Sequence, residues 1–118
     1  MWFVVPPAQA LSVQVRSDAD LGDILVDARG MTLYLYTQDE PSVSHCDGQC
    51  AAAWPPLLTQ TPPTGPDAIA AGLASITRDD GTQQVTYNGA PLYYWAKDTQ
   101  PGDTTGQNVG GVWFVVNP

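Results

Sequence analysis

The chain repeats itself, and this limits its possible folds more than any other feature. Residues 30–54 (GMTLYLYTQDEPSVSHCDGQCAAAW) and residues 89–113 (GAPLYYWAKDTQPGDTTGQNVGGVW) align without a gap. Gly30 matches Gly89, Leu33 matches Leu92, Tyr34 matches Tyr93, Tyr36 matches Trp95, Asp39 matches Asp98, Trp54 matches Trp113 and Val26 matches Val85, all at an offset of 59 positions. Matches in one register that include two aromatic pairs and a Trp pair indicate duplication. Each unit reads as a meander of about four short strands, too small to bury its own apolar face. The expectation is an all-β fold in which two tandem meander repeats pack as one small sandwich or close into a barrel-like domain.

The strands are read from alternation and turn residues. In the first unit they fall at 11–16, 24–26, 32–37 and 54–58, and in the second at 73–78, 82–87, 91–96 and 112–116. Asn88-Gly89 is the strongest hairpin signal, because both residues tolerate positive φ. The two prolines at 55–56 cannot donate to a ladder, which places that strand at an edge. Residues 39–53 and 97–111 read as loops, with a helical turn expected at 51–53 and another at 67–71. The division expected is a tail strand of a preceding repeat plus linker at 1–10, repeat 1 at 11–58, a Pro/Gly-rich connector at 59–72, and repeat 2 at 73–118, the two repeats forming one domain. The tail reading comes from Trp2-Phe3-Val4-Val5, which copies Trp113-Phe114-Val115-Val116. Either the chain is cut from a longer tandem array, which is the expectation, or the segment is a built-in closing element.

In a strand, Tyr34 and Tyr36 share one face, as do Tyr93 and Trp95, while Leu33, Leu35, Leu92 and Tyr94 take the other. Both faces are apolar, so these strands should be central. Asp39 and Asp98 stand where the strand ends, and a carboxylate there can accept backbone N–H bonds from the following loop. The aromatics then read as core and the aspartates as loop anchors. The alternative is a shared pocket lined by Tyr34, Tyr36, Tyr93 and Trp95.

Composition excludes several functions. The net charge is −8, and the four basic residues are scattered, so no patch exists to track a phosphate backbone or an anionic lipid surface. Eleven glycines and eleven prolines favour short strands and tight turns over long helices. No apolar run is long enough for a transmembrane helix, and the first residues lack the basic region of a signal peptide. A Ser-His-Asp triad is formally available through His45 with Ser42 or Ser44, but no nucleophile signature supports it. Two acidic groups, Asp18, Asp20, Asp23 and Asp98, Asp103, Asn108, are candidates for a hard cation. Neither has EF-hand spacing, and turn chemistry accounts for most of them.

Tyr34-Leu-Tyr36-x-x-Asp39 and Tyr93-Tyr-Trp95-x-x-Asp98 both fit Tyr-x-[Phe/Trp/Tyr]-x-x-Asp. With the Cys46–Trp54-Pro-Pro segment, the Ile-Thr-Arg-Asp-Asp-Gly run at 76–81 and the Gly-Gly-Val-Trp ending at 110–113, the chain resembles the bacterial secreted-repeat lipoprotein family over residues 11–118. The resemblance implies export, often as a lipid-anchored or tandem-repeat protein, and implies no activity, substrate, cofactor or catalytic residue. The lipid-attachment cysteine expected upstream is not in this sequence.

For an exported chain the simplest reading of Cys46 and Cys50 is a disulfide, which this spacing in a turn can reach. Closing so small a loop stabilises by about 2 kcal/mol in the chain-entropy model. A redox pair would favour Cys-x-x-Cys, and a zinc site with His45 falls short of four ligands. The second repeat has Thr105 and Val109 at the matching positions, so the pair belongs to one copy. The reading reached is an exported, non-enzymatic cell-surface or extracellular β-module, structural or binding, whose specific role and partners the sequence leaves open, with no cofactor, no nucleic acid and neighbouring repeats of an array as the candidate partner. The alternatives are a ligand pocket between the aromatic motifs, or an envelope redox or metal accessory using His45, Cys46 and Cys50.

Overall fold

In repeat 1 the side chains of two aspartates make the turns. Strands β1 (Gln14–Asp18) and β2 (Gly22–Val26) form an antiparallel hairpin with Gln14 opposite Val26. Asp18 Oδ1 accepts the N–H groups of Asp20 and Leu21, shaping the turn between them. Asp27 then accepts the N–H groups of Arg29 and Met31 at 2.8 and 2.9 Å, and Gly30 adopts φ +90°. The chain returns along β2, with Leu33 N–H bonded to Leu25 C=O, and enters β3 (Tyr34–Tyr36). These coordinates, a computed structural model, describe residues 13–118. The expected tail at 1–10, with its strand at 2–5, and the first two residues of the strand expected at 11–16 lie outside the described residues.

A long loop follows, containing the short helix α1 (Gln49–Ala53), and leads through 54–57 to β4 (Leu58–Thr59). The connector carries α2 (Asp67–Ala70), whose Ile69 is buried. Repeat 2 then restarts with β5 (Leu73–Thr77) and β6 (Gln83–Tyr87), Leu73 opposite Tyr87. Asn88 and Gly89 take φ +50° and +85°, as their hairpin role requires, and return β6 into β7 (Ala90–Pro91). The ladder part of the aromatic strand expected at 91–96 is short: Tyr93 makes isolated bridges to Tyr34 and Pro56. The chain closes with β8 (Trp113–Val115).

Two details of the duplication differ from the sequence alignment. Leu33 N–H bonds to Leu25 C=O, and its counterpart Leu92 N–H bonds to Val85 C=O. Val85 therefore corresponds to Leu25, not to Val26. The turn after β6 is one residue shorter than the turn after β2, which shifts the register of the hairpins relative to the aromatic strands.

The larger difference is in strand pairing. The architecture is mostly β with two repeat regions, but among the described residues neither repeat is a self-contained four-stranded meander and none of the sheets closes into a barrel. Strand β3 of repeat 1 pairs with β8 of repeat 2, Tyr36 opposite Trp113 and Tyr34 opposite Val115. Residues 53–57 of repeat 1 do the same for repeat 2: Tyr94 N–H bonds to Pro55 C=O, Ala96 N–H to Ala53 C=O, and Leu57 N–H to Leu92 C=O. Each closing strand runs on to the other repeat's hairpin. Leu25 N–H bonds to Val116 C=O, Val85 N–H bonds to Leu57 C=O, and β4 pairs with β6. Each repeat thus builds most of its sheet itself and receives the closing strand from its twin. The long loops before the closing strands permit this, because added loop length costs little closure entropy.

The aromatic strands are central, with an apolar cluster on each face. Leu33 and Leu92 pack with Leu25, Leu57, Val85 and Val116 on one side, with Leu35 and Tyr94 against them. Tyr34 and Tyr93 pack with Trp54, Trp113, Val115 and Cys46 on the other, with Tyr36 and Trp95 against them.

Candidate functional site

The residues picked out by the repeated motif converge on one place, the seam between the repeats. Tyr34 and Tyr93 face each other across a pseudo-twofold axis. Tyr34 N–H bonds to Tyr93 C=O at 2.8 Å, and Tyr93 N–H bonds to Tyr34 C=O at 2.9 Å. Their hydroxyls then reach the aspartate of the opposite repeat: Tyr34 Oη donates to Asp98 Oδ2 at 2.5 Å and Tyr93 Oη donates to Asp39 Oδ2 at 2.7 Å. The Tyr and Asp of the motif are thus partners between copies. Burial, and next the adjacent Asp98 carboxylate, holds the Tyr34 phenol far above its ordinary range, and burial with Asp39 does the same for Tyr93. Both hydroxyls therefore keep their protons and act as donors.

The remaining aromatics form a column. Tyr36 stacks on Trp113 at 4.2 Å, Trp113 on Trp54 at 3.8 Å, and Trp54 on Trp95 at 3.9 Å between ring centroids. Members alternate between repeats, and the axis passes between the two Trp rings. Tyr34 meets Trp54 edge-on at 5.5 Å, and Tyr93 meets Trp113 at 5.2 Å. Aromatic pairs of this kind contribute about 0.5–1.5 kcal/mol each beyond their buried area. Tyr34 and Tyr93 are fully buried, and Trp54 and Trp113 nearly so. Four of the aromatics therefore present no free face to a ligand. Tyr36 and Trp95, at the two ends of the column, are half-buried, and Lys97 Nζ lies 5.8 Å from the Trp95 ring centre.

The two Tyr–Asp locks are completed differently. Asp98 is buried, and its Oδ1 accepts the N–H and the hydroxyl of Thr105 at 3.0 and 2.5 Å. Gly106 N–H donates directly to Tyr34 Oη at 3.1 Å. A Cβ on Gly106 would stand 2.8 Å from the Tyr34 ring, so glycine is required for this approach. In the other lock Asp39 Oδ1 accepts His45 N–H at 2.6 Å. By hydrogen bonding His45 is therefore the counterpart of Thr105, and Cys46 that of Gly106, one residue out of the sequence register. Cys46 has a Cβ, and its N–H reaches Tyr93 only through Ser44 Oγ, which lies 3.3 Å from that nitrogen and 2.5 Å from Tyr93 Oη. Asp39 is half-buried, and burial raises its carboxyl above the ordinary range despite the hydrogen bonds from Tyr93 and His45 N–H.

Around this second lock stand features that repeat 2 does not copy. Cys46 and Cys50 form a disulfide, with Cys46 buried. Arg78 braces the loop, donating from Nη1 to Ser44 Oγ and to the buried Gln84 Oε1, and from Nη2 to Cys46 C=O at 2.7 Å. Beside it a cavity of about 400 Å³ opens between the disulfide loop and the turn after β5, with Val43, Asp47, Ile76 and Asp79 among its lining residues. A further cross-repeat contact joins Tyr94 Oη to the buried Asp27 at 2.7 Å. Burial pushes the Asp27 carboxyl up, but bonds from Tyr94, Met31 N–H and Arg29 outweigh it and leave the carboxyl below its ordinary range. Sequence reading gave no role to Ser44's contact with Tyr93, to Arg78 beyond its place in the run at 76–81, or to Gln84 or Asp27. The contacts Ser44–Tyr93, Arg78–Cys46 and Asp27–Tyr94 join residues far apart along the chain, which no local pattern marks, whereas Gln84 bonds Arg78 and Leu92 within its own repeat.

The catalytic and metal readings find little here. The His45 ring pairs with Glu40 at 2.8 Å, and Ser44 Oγ is held by Tyr93 and Arg78. Asp18 and Asp103 cap backbone N–H groups of their own turns, and Asp98 is enclosed in its lock. Among the described residues no group of three or more His, Cys, Asp or Glu is placed to hold a metal ion, and no helix is long and apolar enough to cross a membrane.

Comparison with curated proteins and with solved structures returns no match. Comparison with known families finds one family, described as a secreted repeat of unknown function, matching twice, at residues 15–58 and 74–117. The two spans begin and end at equivalent points of the duplication and together cover most of the chain, so the chain belongs to this secreted-repeat family.

Proposed function

We propose that the chain is a non-enzymatic structural module of the cell surface or extracellular space, built to be displayed in tandem with further repeats. The observation that carries this reading is that the motif residues are engaged with one another. Each motif Tyr is bound to the other copy's Asp, and the four stacked rings fill the seam. The division into repeat 1 at 11–58, connector at 59–72 and repeat 2 at 73–118 within one sandwich-like domain belongs to the same reading, and the exchanged closing strands support it. The test replaces the domain, in its exporting cell, with an unrelated β-domain of similar length. Retained surface display and cell adhesion properties are expected. Loss that is restored only by this sequence would overturn the reading.

A second reading, a small-ligand site, is favoured by the cavity rather than by the aromatics. Its volume of about 400 Å³ falls within the range of small-molecule sites. A ligand screen read by melting temperature tests it, since a ligand bound to the folded state alone must raise that temperature. Val43→Glu should abolish any such shift, and a shift that survives the substitution excludes this cavity.

A further inference from the structure

We propose that β5 is a docking edge for an extended strand of a basic partner, which places an arginine in the cavity beside the disulfide loop. This rests on the second reading, that the cavity is a site, and names its occupant.

The backbone of β5 is open on one side. Arg78 N–H bonds to Thr82 C=O and Asn88 N–H bonds to Gly72 C=O, so the even-numbered residues of β5 face β6. The N–H and C=O groups of Leu73, Ser75 and Thr77 point outward, and among the described residues no strand takes them up. Strand β5 carries no charge, proline or bulge of the kind that guards such an edge.

The twin edge shows what is missing. Val15 lies opposite Leu25 as Ser75 lies opposite Val85, so Arg16 is the counterpart of Ile76. Arg16 pairs with Asp18 at 3.6 Å and reaches the loop of repeat 2, where a Cβ on Gly102 would stand 3.4 Å from its Nη1. A guanidinium therefore occupies the gap between edge strand and loop in one half. In the other half Ile76 is short and uncharged, and the gap is the cavity of about 400 Å³. Val43, Ala51 and Ile76 offer apolar walls to the stem of an incoming side chain. Asp47 and Asp79 offer it carboxylates that no described residue engages. Arg78, the cation already there, is bound to Ser44, Gln84 and Cys46. Ile76 and Arg78 share one face, so an added strand presents every second side chain on the cavity side. A second copy of this chain is the less suited occupant, because each carries a net charge of −8.

The test titrates the full chain against a capped, fluorescein-labelled, threonine-rich octapeptide with one central arginine, read by anisotropy. Saturable binding at low salt is expected, with slowed amide exchange at Leu73, Ser75 and Thr77. Citrulline in place of the arginine, or Asp47→Asn combined with Asp79→Asn, should weaken binding about tenfold. Ser75→Pro removes an outward N–H where an edge strand tolerates proline, and should abolish binding. Should Ser75→Pro unfold, a probe N-methylated at alternate residues removes the same ladder from the other side and is read instead. The proposal is overturned by an absence of saturable binding, by equal binding of the citrulline probe, or by binding that survives the edge substitution or the N-methylated probe. It is also overturned by self-association that Ser75→Pro abolishes, which gives the edge to a second copy. Ser75 does not line the cavity, so a melting shift from a small ligand persists in Ser75→Pro, and the two readings fail separately.

Discussion

The same motif closes the seam twice, and its two settings are not alike. At Tyr34–Asp98 the chain of repeat 2 comes down directly onto the phenol, because Gly106 has no Cβ to collide with the ring. At Tyr93–Asp39 the counterpart of that glycine is Cys46. The loop stands off by one hydroxyl, Ser44 Oγ fills the gap, and Arg78 and the disulfide hold the loop in place. A cavity remains beside it. The comparison teaches that the motif specifies the lock, while the loop residue above it decides whether the lock is sealed or braced.

Substitutions that exchange the two conditions should separate them. The largest effect is expected for Gly106→Ala, which places a methyl group 2.8 Å from the Tyr34 ring and 3.0 Å from Trp54. A loss of about 3 kcal/mol in urea unfolding is expected. A loss below about 0.5 kcal/mol would mean that the sealed lock tolerates what the braced one has.

Next, the phenols should rank. Tyr34→Phe removes a buried donor to Asp98 and the acceptor of Gly106 N–H, for about 2–3 kcal/mol. Tyr93→Phe leaves half-buried Asp39 with His45 N–H and access to water, for about 1 kcal/mol. Equal losses would erase the distinction between the locks. Each phenol coupled to the opposite repeat's aspartate in a double-mutant cycle checks that the bonds cross the seam.

Reduction of the disulfide should cost about 2 kcal/mol. Hydrogen exchange should show lost protection in residues 44–54, with residues 98–113 unchanged. Loss of protection in both loops would show that the bridge supports the whole seam.

The smallest effect is electrostatic. Asp39 is raised above its ordinary value of 3.8 by burial, so the folded state holds its proton more tightly than the unfolded chain does. Its stabilising contribution is full below that value and fades as pH rises through the raised folded one. Asp27 is lowered from the same ordinary value, so its contribution is present above it and fades as pH falls. Asp39→Asn should therefore remove a gain in stability on mild acidification, and Asp27→Asn should remove a loss on stronger acidification. Unfolding free energies across acid pH check both signs, and matching slopes for the two variants would contradict them.

Much of the fold was legible because its signals are local. Alternation and turn residues placed the hairpin strands within a few residues, while the strands expected at 54–58 and 91–96 form named ladders only at 58–59 and 90–91; the periodicity of two put Tyr34 and Tyr36 on one face and Leu33 and Leu35 on the other. Asn88-Gly89 announced its hairpin because its backbone requirement is written in two adjacent residues. The duplication was legible too, yet its register misled at Val26 and Val85, since a one-residue difference in turn length is invisible when valines coincide. The aspartates were expected to hold their own loops. They do so through His45 and Thr105, and their other oxygens reach across to the twin repeat's tyrosines. Nothing local distinguishes a carboxylate that also bonds 54 or 64 residues away.

The sequence by itself determined that there are two β-rich units, which residues are apolar on which face, and that two cysteines lie close enough to pair. These follow from short-range sterics and periodicity, which each segment carries wherever it is placed. Tertiary structure alone decided that the closing strands are exchanged, that each motif tyrosine is bound to the other copy's aspartate, and that one lock is sealed while the other is braced. The two units share one strand pattern, so local signals do not say which closing strand joins which sheet. Only the long loops, the shared aromatic column and a single Cβ above each phenol select the arrangement found.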